Sequence, residues 1–271
     1  MKIPLFQIDA FTDKVFRGNP ACVCPVERWP RDVLMQSIAA ENNVPETAFF
    51  QGGNGKYKLR WFTPVREVDL CGHATLAAAW VVFNMMEKKR EHVTFNTLSG
   101  PLYVSRAQKD LFALDFPSRP PEPCDPPAGL VEGLGLAPKE IWASRDYMAV
   151  YESEEQVRSL RPDMGLLRAL PGDKLGVIAT ARGDKADFVS RFFAPKAGIP
   201  EDPVTGSSHC TLIPYWAERL GKDRLQALQV SRRGGELFCM PRGERVAIAG
   251  RAVLYLKGAV DVPSASGVKP A

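Results

Sequence analysis

Residues 60–80, RWFTPVREVDLCGHATLAAAW, are answered later in the chain by residues 191–216, RFFAPKAGIPEDPVTGSSHCTLIPYW. Arg60 and Arg191 open the two copies at an offset of 131. Gly72 pairs with Gly206 at an offset of 134, so three residues enter between Pro195 and Thr205. Farther on, SGPLYV is matched by GGELFC, with Gly100 paired to Gly235 at 135. Three matches in order with a slowly drifting offset mark two copies of one unit. Between the copies, residues 115–130, DFPSRPPEPCDPPAGL, carry six prolines. Proline continues neither a ladder nor a helix interior, so this stretch reads as a connection. The expected domains are 1–117 and 118–271, with the last strands free to pack back on the first.

Patterns within the halves agree. Strand alternation occupies 3–9 and 20–26, and a helix is expected within PRDVLMQSIAAENN. TAFFQ and YKLRWF flank GGNG, a hairpin signal. A helix follows from Gly72 to about Glu87, then strands near 92–98, 101–106 and 111–116. The second half repeats the order: strands near 140–144 and 147–151, helical residues 153–170, a hairpin across ARGDKAD, a helix from Ser207, and strands to about 262. Residues 73–86, HATLAAAWVVFNMM, are apolar nearly all round, which marks a helix buried on every side. The expected class is α+β: two similar, pseudo-symmetric domains, each a curved, mostly antiparallel sheet or barrel wrapped around a central helix.

Composition excludes several classes. The chain has 271 residues, 45% hydrophobic and 24% charged, with a net charge of +4. Its densest basic runs, EKKR at 87–90 and RR at 232–233, are short solvated stretches. With no basic stripe, no nucleic-acid partner is expected. No apolar run reaches membrane-spanning length, so no membrane partner is expected either. The start, MKIPLFQIDAF, alternates like a strand and lacks the form of a signal peptide. Six cysteines (22, 24, 71, 124, 210, 239) include no C-x-x-C pair, and there are three histidines. Neither a zinc framework nor a disulfide scaffold is expected, and the cytoplasm is the expected compartment.

Both central helices open on a glycine, Gly72 before His73 and Gly206 before Ser207. The first turn of a helix leaves amide N–H groups without intrahelical partners, and the peptide dipoles add partial positive charge. Glycine lets a ligand approach that backbone. Two such starts facing one cleft between the halves would receive a small carboxylate. Read plainly, Thr205 or Ser207 simply caps its helix. Phosphate-loop signatures are missing, and TGSSHC does not fit a nucleophile elbow.

IDAFTDKVFRGNPACV, NNVPETAFF, CGHATLAAAW and EDPVTGSSHCTLIPYWAERLG together resemble the phenazine-biosynthesis PhzF family, whose fold is similar to that of diaminopimelate epimerase. The resemblance runs over essentially the whole chain. It implies an isomerase that shifts a proton within a small cyclic, unsaturated carboxylate, needs no metal or organic cofactor, and forms a homodimer. By the same resemblance Glu46, of ETAFF, is the acid/base, with His73 and Asp202 beside it in the catalytic set. Gly72, Gly206 and Ser207 bind the substrate.

Elementary chemistry suits that set. A proton shift on carbon needs one group that takes a proton and returns it, and a carboxylate in a suitable environment does both. The Arg60/Arg191 offset places Val177 opposite Glu46, so the carboxylate stands in one copy only. His73 is suited to hydrogen-bonding the substrate or relaying the proton, and Asp202 to orienting His73 or fixing a substrate amine. Glu201 and Asp202 are neighbours that point opposite ways in extended chain, so they form no dyad. Epimerases of this fold place a thiol at each helix start. Here Cys71 has Thr205 as its repeat partner, which disfavours a two-thiol racemase and leaves Cys71 as a packed thiol. A racemase built on Glu46 and another base, and a non-catalytic small-ligand protein, stay open as alternatives.

Overall fold

The computed structural model describes residues 2–108 and 110–262. In chain order the elements are β1 (Lys2–Ala10), β2 (Asn19–Pro25), α1 (Asp32–Asn42), β3 (Glu46–Gly53), β4 (Lys56–Phe62), β5 (Glu67–Val68), α2 (Gly72–Val81), β6 (His92–Thr97), β7 (Gly100–Gln108) and β8 (Leu111–Pro117). They continue as β9 (Glu122–Pro123), α3 (Leu130–Leu134), β10 (Glu140–Ala143), β11 (Tyr147–Val150), α4 (Glu154–Ser159), α5 (Met164–Arg168), β12 (Val177–Arg182), β13 (Phe188–Phe193), α6 (Gly206–Leu220), β14 (Leu225–Gln229), β15 (Gly235–Arg242), β16 (Arg245–Gly250) and β17 (Ala252–Asp261). Unit 1 takes the chain to Asp115 and from Ala249 onward; unit 2 takes Phe116–Ile248.

Both units lay out the same series of pairings. In unit 1, β1–β2 is antiparallel, β2–β3 parallel, β3–β4 antiparallel, β4–β6 parallel and β6–β7 antiparallel. In unit 2, β10–β11, β11–β12, β12–β13, β13–β14 and β14–β15 repeat those senses in that order. Gly100 and Gly235, paired by the sequence offset, each open a strand of this series. Unit 1 adds β17 against β1 and β8 against β7.

The helices divide by side. In α2, His73 through Ala79 and Val81 are buried, and the helix packs against β1, β2 and β3. Its last turn widens into a π-turn over Val82–Met86, so the regular helix stops short of the expected Glu87. On the other face of the unit 1 sheet, Leu34, Met35 and Ile38 of α1 pack on Cys24, Phe49 and Phe62. Unit 2 covers that face with three short helices: Leu134, Val157 and Leu167 pack on Ala149, Val177, Ala179 and Phe193. The single helical stretch expected at 153–170 is broken in two because Pro162 cannot continue a helix. Each piece has its own cap. Ser153 accepts from the Gln156 N–H at 3.3 Å, and Asp163 from the Gly165 and Leu166 N–H groups at 2.8 and 3.1 Å.

Equivalent arginines brace the two loops that lead into the central helices. Arg60 forks onto Glu67, Nε to Oε1 and Nη2 to Oε2 both at 2.7 Å, and its guanidinium lies 5.2 Å from the Phe62 ring. Arg191 forks onto Glu201 at 2.8 and 3.0 Å, with the Phe193 ring at 4.8 Å. Glu67 and Glu201 stand at the same offset, 134, as the two helix-opening glycines. Planar bidentate pairs fix orientation as well as distance, so the clamp sets how each loop enters its helix.

Hairpin register corrects one sequence reading. Thr47 pairs with Phe62, and Val177 with Phe193. Superposing Phe62 on Phe193 therefore matches Thr47 with Val177, and Glu46 with Gly176 rather than Val177. Burial confirms the parity. Phe49 faces α1, and Asn42 of α1 reaches Thr47 at 3.1 Å; Val177 and Ala179 face α3–α5. Thr180, on the opposite face, receives the Trp216 indole N–H of α6 at 2.9 Å. A one-residue slip would turn each side chain to the wrong face, which excludes the Val177 pairing.

Candidate active site

In unit 1 the strand and helix starts converge. Glu46 opens β3, and the parallel β2–β3 ladder sets it beside Ala21. His73 is the second residue of α2. Both are buried, at 8% and 5% exposed. His73 Nε2 lies 3.0 Å from Glu46 Oε2, an ion-pair distance. Beyond this pair, neither atom has a hydrogen-bond partner among the described residues. On the other side of the ring, Nδ1 lies 3.1 Å from the Asn19 amide and 3.6 Å from Cys71 Sγ. An amide suits either protonation state, offering its NH₂ to a neutral ring and, after a half-turn, its oxygen to a charged one.

Charge follows from this packing. Burial alone pulls the His73 pKa down; the Glu46 carboxylate beside it opposes that and holds it well above the usual histidine value. The Cys71 thiol is pushed up to about 11, chiefly by burial and then by Glu46. At neutral pH the sulfur is therefore a protonated thiol, neither base nor nucleophile. Glu46, Cys71 and His73 bring one potential ligand atom each within 4.8 Å of one another. A thiol, imidazole and carboxylate are zinc-type donors, but two of them hold protons that a metal would have to displace. The arrangement is suited to proton handling.

Asp202, Gly206 and Ser207 lie in unit 2, and Glu46, Gly72 and His73 in unit 1. Thr205 precedes α6 but does not cap it. Its hydroxyl donates to Asp202 Oδ2 at 2.5 Å, its N–H to Gln229 Oε1 at 2.8 Å, and its carbonyl accepts from Ser208 and His209. Gln229 also donates to the Asp202 carbonyl at 2.8 Å, tying the 202–205 turn to β14. Helix α2 likewise opens without a side-chain hydrogen-bond cap. The capping role for Thr205 is thus not what the structure contains. Glu201 is taken by Arg191 and Asp202 by Thr205, so the adjacent carboxylates act separately. His209 donates from Nδ1 to the Thr205 carbonyl at 2.8 Å, and burial pushes its pKa down to about 4. It is a neutral core residue. His92 is exposed. Sequence reasoning passed over Asn19 and Gln229, since an amide carries no motif of its own; GNPA at 18–21 and LQV at 228–230 were the stretches to inspect.

Comparisons with known proteins bear on this geometry. The phenazine biosynthesis-like protein family, PhzC-PhzF, matches residues 8–258. The chain is 51% identical over 262 residues to a protein of Pseudomonas aeruginosa named an uncharacterized isomerase, covering 97% of this chain and all of that one. A crystal structure of a PhzF-family phenazine biosynthesis protein from Enterococcus faecalis superposes with a TM-score of 0.93 at 46% identity, over 97% of this chain and all of that one. A probable proline racemase from Agrobacterium radiobacter K84 shares the fold, with a TM-score of 0.68 at 10% identity over 96% and 93% of the two chains. No helix among the described residues is long and apolar enough to cross a membrane.

Proposed function

Since the chain belongs to the PhzC-PhzF family of phenazine biosynthesis-like proteins, and a relative sharing half its residues is named an isomerase, we propose that it is a cofactor-independent isomerase that shifts a proton on a small cyclic or unsaturated carboxylate. Glu46 is the general acid/base. His73 faces its carboxylate and the substrate, and Asp202 completes the catalytic set. Gly72, Gly206 and Ser207 offer N–H and hydroxyl donors to the substrate carboxylate. The supporting observation is the buried pair at 3.0 Å, Glu46 Oε2 and His73 Nε2, with neither atom claimed by any other group among the described residues. Buried polar atoms are almost always paired, and exceptions concentrate where chemistry happens. The uncapped starts of α2 and α6 leave first-turn N–H groups for an anion.

A two-thiol racemase fits poorly, because the one candidate thiol keeps its proton and its counterpart is Thr205, whose hydroxyl is engaged by Asp202. The homodimer belongs to the same reading, and unit 1 offers an apolar surface for it in the exposed, edge-packed rings of Phe16 and Tyr255. Sedimentation at twice the chain mass is the expected result. The reaction itself is tested by incubating the protein with a panel of cyclic and unsaturated carboxylates in D₂O and following deuterium at carbon by NMR. Uptake by at least one panel member, abolished in Glu46→Gln, is expected. A Glu46→Gln protein that exchanges at the parent rate would move the acid/base elsewhere.

A further inference from the structure

Unit 2 has a carboxylate in the space that corresponds to Glu46, carried by a different strand. In unit 1, Ala21 of β2 stands beside Glu46 of β3. In unit 2 the matched ladder pairs Tyr147 with Val177, so the preceding residues, Asp146 and Gly176, correspond to Ala21 and Glu46. The Tyr147 N–H donates to the Gly176 carbonyl at 3.1 Å, which continues the match to that point. The acidic and small residues have exchanged strands. By strand alternation Asp146 and Gly176 face the α6 side, as Glu46 faces α2.

Gly176 shows how closely the space is shared. A Cβ there would lie 3.0 Å from Asp146 Oδ1 and 2.2 Å from Cζ of Phe192. No side chain can grow from position 176, because the Asp146 carboxylate and the Phe192 ring already occupy that room. Asp146 is 4% exposed. Among the described residues no lysine or arginine nitrogen lies within ion-pair distance of it, unlike Glu154, another buried acid, which is bonded to Arg158. The charged groups around Asp146 are Arg145, Arg119 and Lys174. Arg119 and Arg145 also act on Cys210 in the first turns of α6, and the Arg119 N–H donates to the Cys210 carbonyl at 2.9 Å.

We propose that Asp146 is a second ligand-facing carboxylate of this protein, the counterpart in unit 2 of Glu46 in unit 1. The proposal rests on the reading of Glu46 as a group that meets the substrate. Burial pushes the Asp146 carboxyl above its usual range, against the pull of Arg145, the Gly176 N–H, Arg119 and Lys174. Such a carboxyl keeps its proton to higher pH than an exposed aspartate and can donate it as a hydrogen bond to an anionic oxygen of the ligand. No bond is made or broken at Asp146 in this role.

Two measurements test the proposal. The folded parent protein is treated with a small diazo compound, which esterifies protonated carboxyl groups, and mapped by peptide mass spectrometry. Asp146 should be labelled and protected by benzoate, while Glu154 is not labelled. Asp146→Ala, which removes the donor, should bind benzoate about tenfold more weakly and slow deuterium uptake by about 10²-fold, and Asp146→Asn, which keeps an oxygen for the Gly176 N–H and an N–H for the ligand, should melt like the parent and recover most of both. An unlabelled Asp146 in a protein that exchanges deuterium with a panel carboxylate would overturn the proposal and leave the isomerase reading intact. So would an Asp146→Ala protein whose melting falls but whose benzoate affinity and exchange rate match the parent, since that marks a structural acid. Benzoate-protected labelling of Asp146, with no panel carboxylate exchanging deuterium, would remove the isomerase reading and leave Asp146 facing a ligand site.

Discussion

The starts of α2 and α6 are built on one plan and carry different chemistry. Each follows a loop clamped by a bidentate arginine–glutamate pair, and in each the fourth helical residue bonds the carbonyl before the helix: Thr75 to Cys71 at 2.5 Å, His209 to Thr205 at 2.8 Å. Where α2 has His73 against Glu46, the matching positions in unit 2 are Ser207 and Gly176. The duplicated part is the frame: strand senses, clamp, buried helix. The differing part is the short list of side chains at the helix start. A frame that holds backbone N–H groups in place leaves those positions free to diverge, because their cost to folding is small.

The sharpest way to break this comparison is at Glu46. Replacement by Gln preserves shape and removes the transferable proton, so exchange should fall 10²–10⁴-fold, about 3–5 kcal/mol of barrier, with melting near the parent value. Deuterium incorporation and calorimetry on one preparation check both halves of that statement.

The clamps come next. Arg191 and Glu201 have side chains 11% and 22% exposed, and Arg191 also donates to the Val157 and Leu160 carbonyls. Arg191→Ala should cost about 3 kcal/mol in a urea titration, because it strands a partly buried acid and two carbonyls. Arg60 and Glu67 are about a quarter exposed, and Arg60→Ala should cost about 1 kcal/mol. Lysine should rescue neither, since it lacks the planar fork. Equal losses at the two sites would mean that burial does not separate the copies.

A pH experiment probes the fourth helical position. His209 binds its proton near pH 4 when folded and near 6.5 when unfolded. The unfolded chain therefore holds more protons between those values, so stability is full above 6.5, falls as the pH drops towards 4, and changes no further below it through this group. The loss should be roughly 3 kcal/mol, and His209→Gln should flatten the profile in that window. Thr75, its counterpart in α2, does not titrate.

The smallest effect belongs to Ser207. Its replacement by Ala removes one hydroxyl at a helix start whose N–H groups remain, so affinity for a small carboxylate such as benzoate should weaken by about 1 kcal/mol, with the exchange rate at saturation nearly unchanged. Titration calorimetry at fixed salt reads it. Loss of turnover without loss of affinity would place Ser207 in the chemistry instead.

Read alone, the sequence determined the duplication, the two buried helices and the positions of Glu46 and His73, because offsets, an all-apolar helix and a family motif are local properties of the string. It also placed Cys71 against Thr205, and so argued against paired thiols. Tertiary structure alone decided the register of the hairpins. The offset at Arg60 and Arg191 does not hold one strand earlier, since the two hairpins differ by one residue in length, and that residue moves Glu46's counterpart from Val177 to Gly176. Asp146 was illegible for the same reason. Its relation to Glu46 runs across a parallel ladder, where partners are far apart in sequence and only strand pairing states which residues share a face. Asn19 reached His73 in the same way, across 54 residues, through packing that no motif encodes.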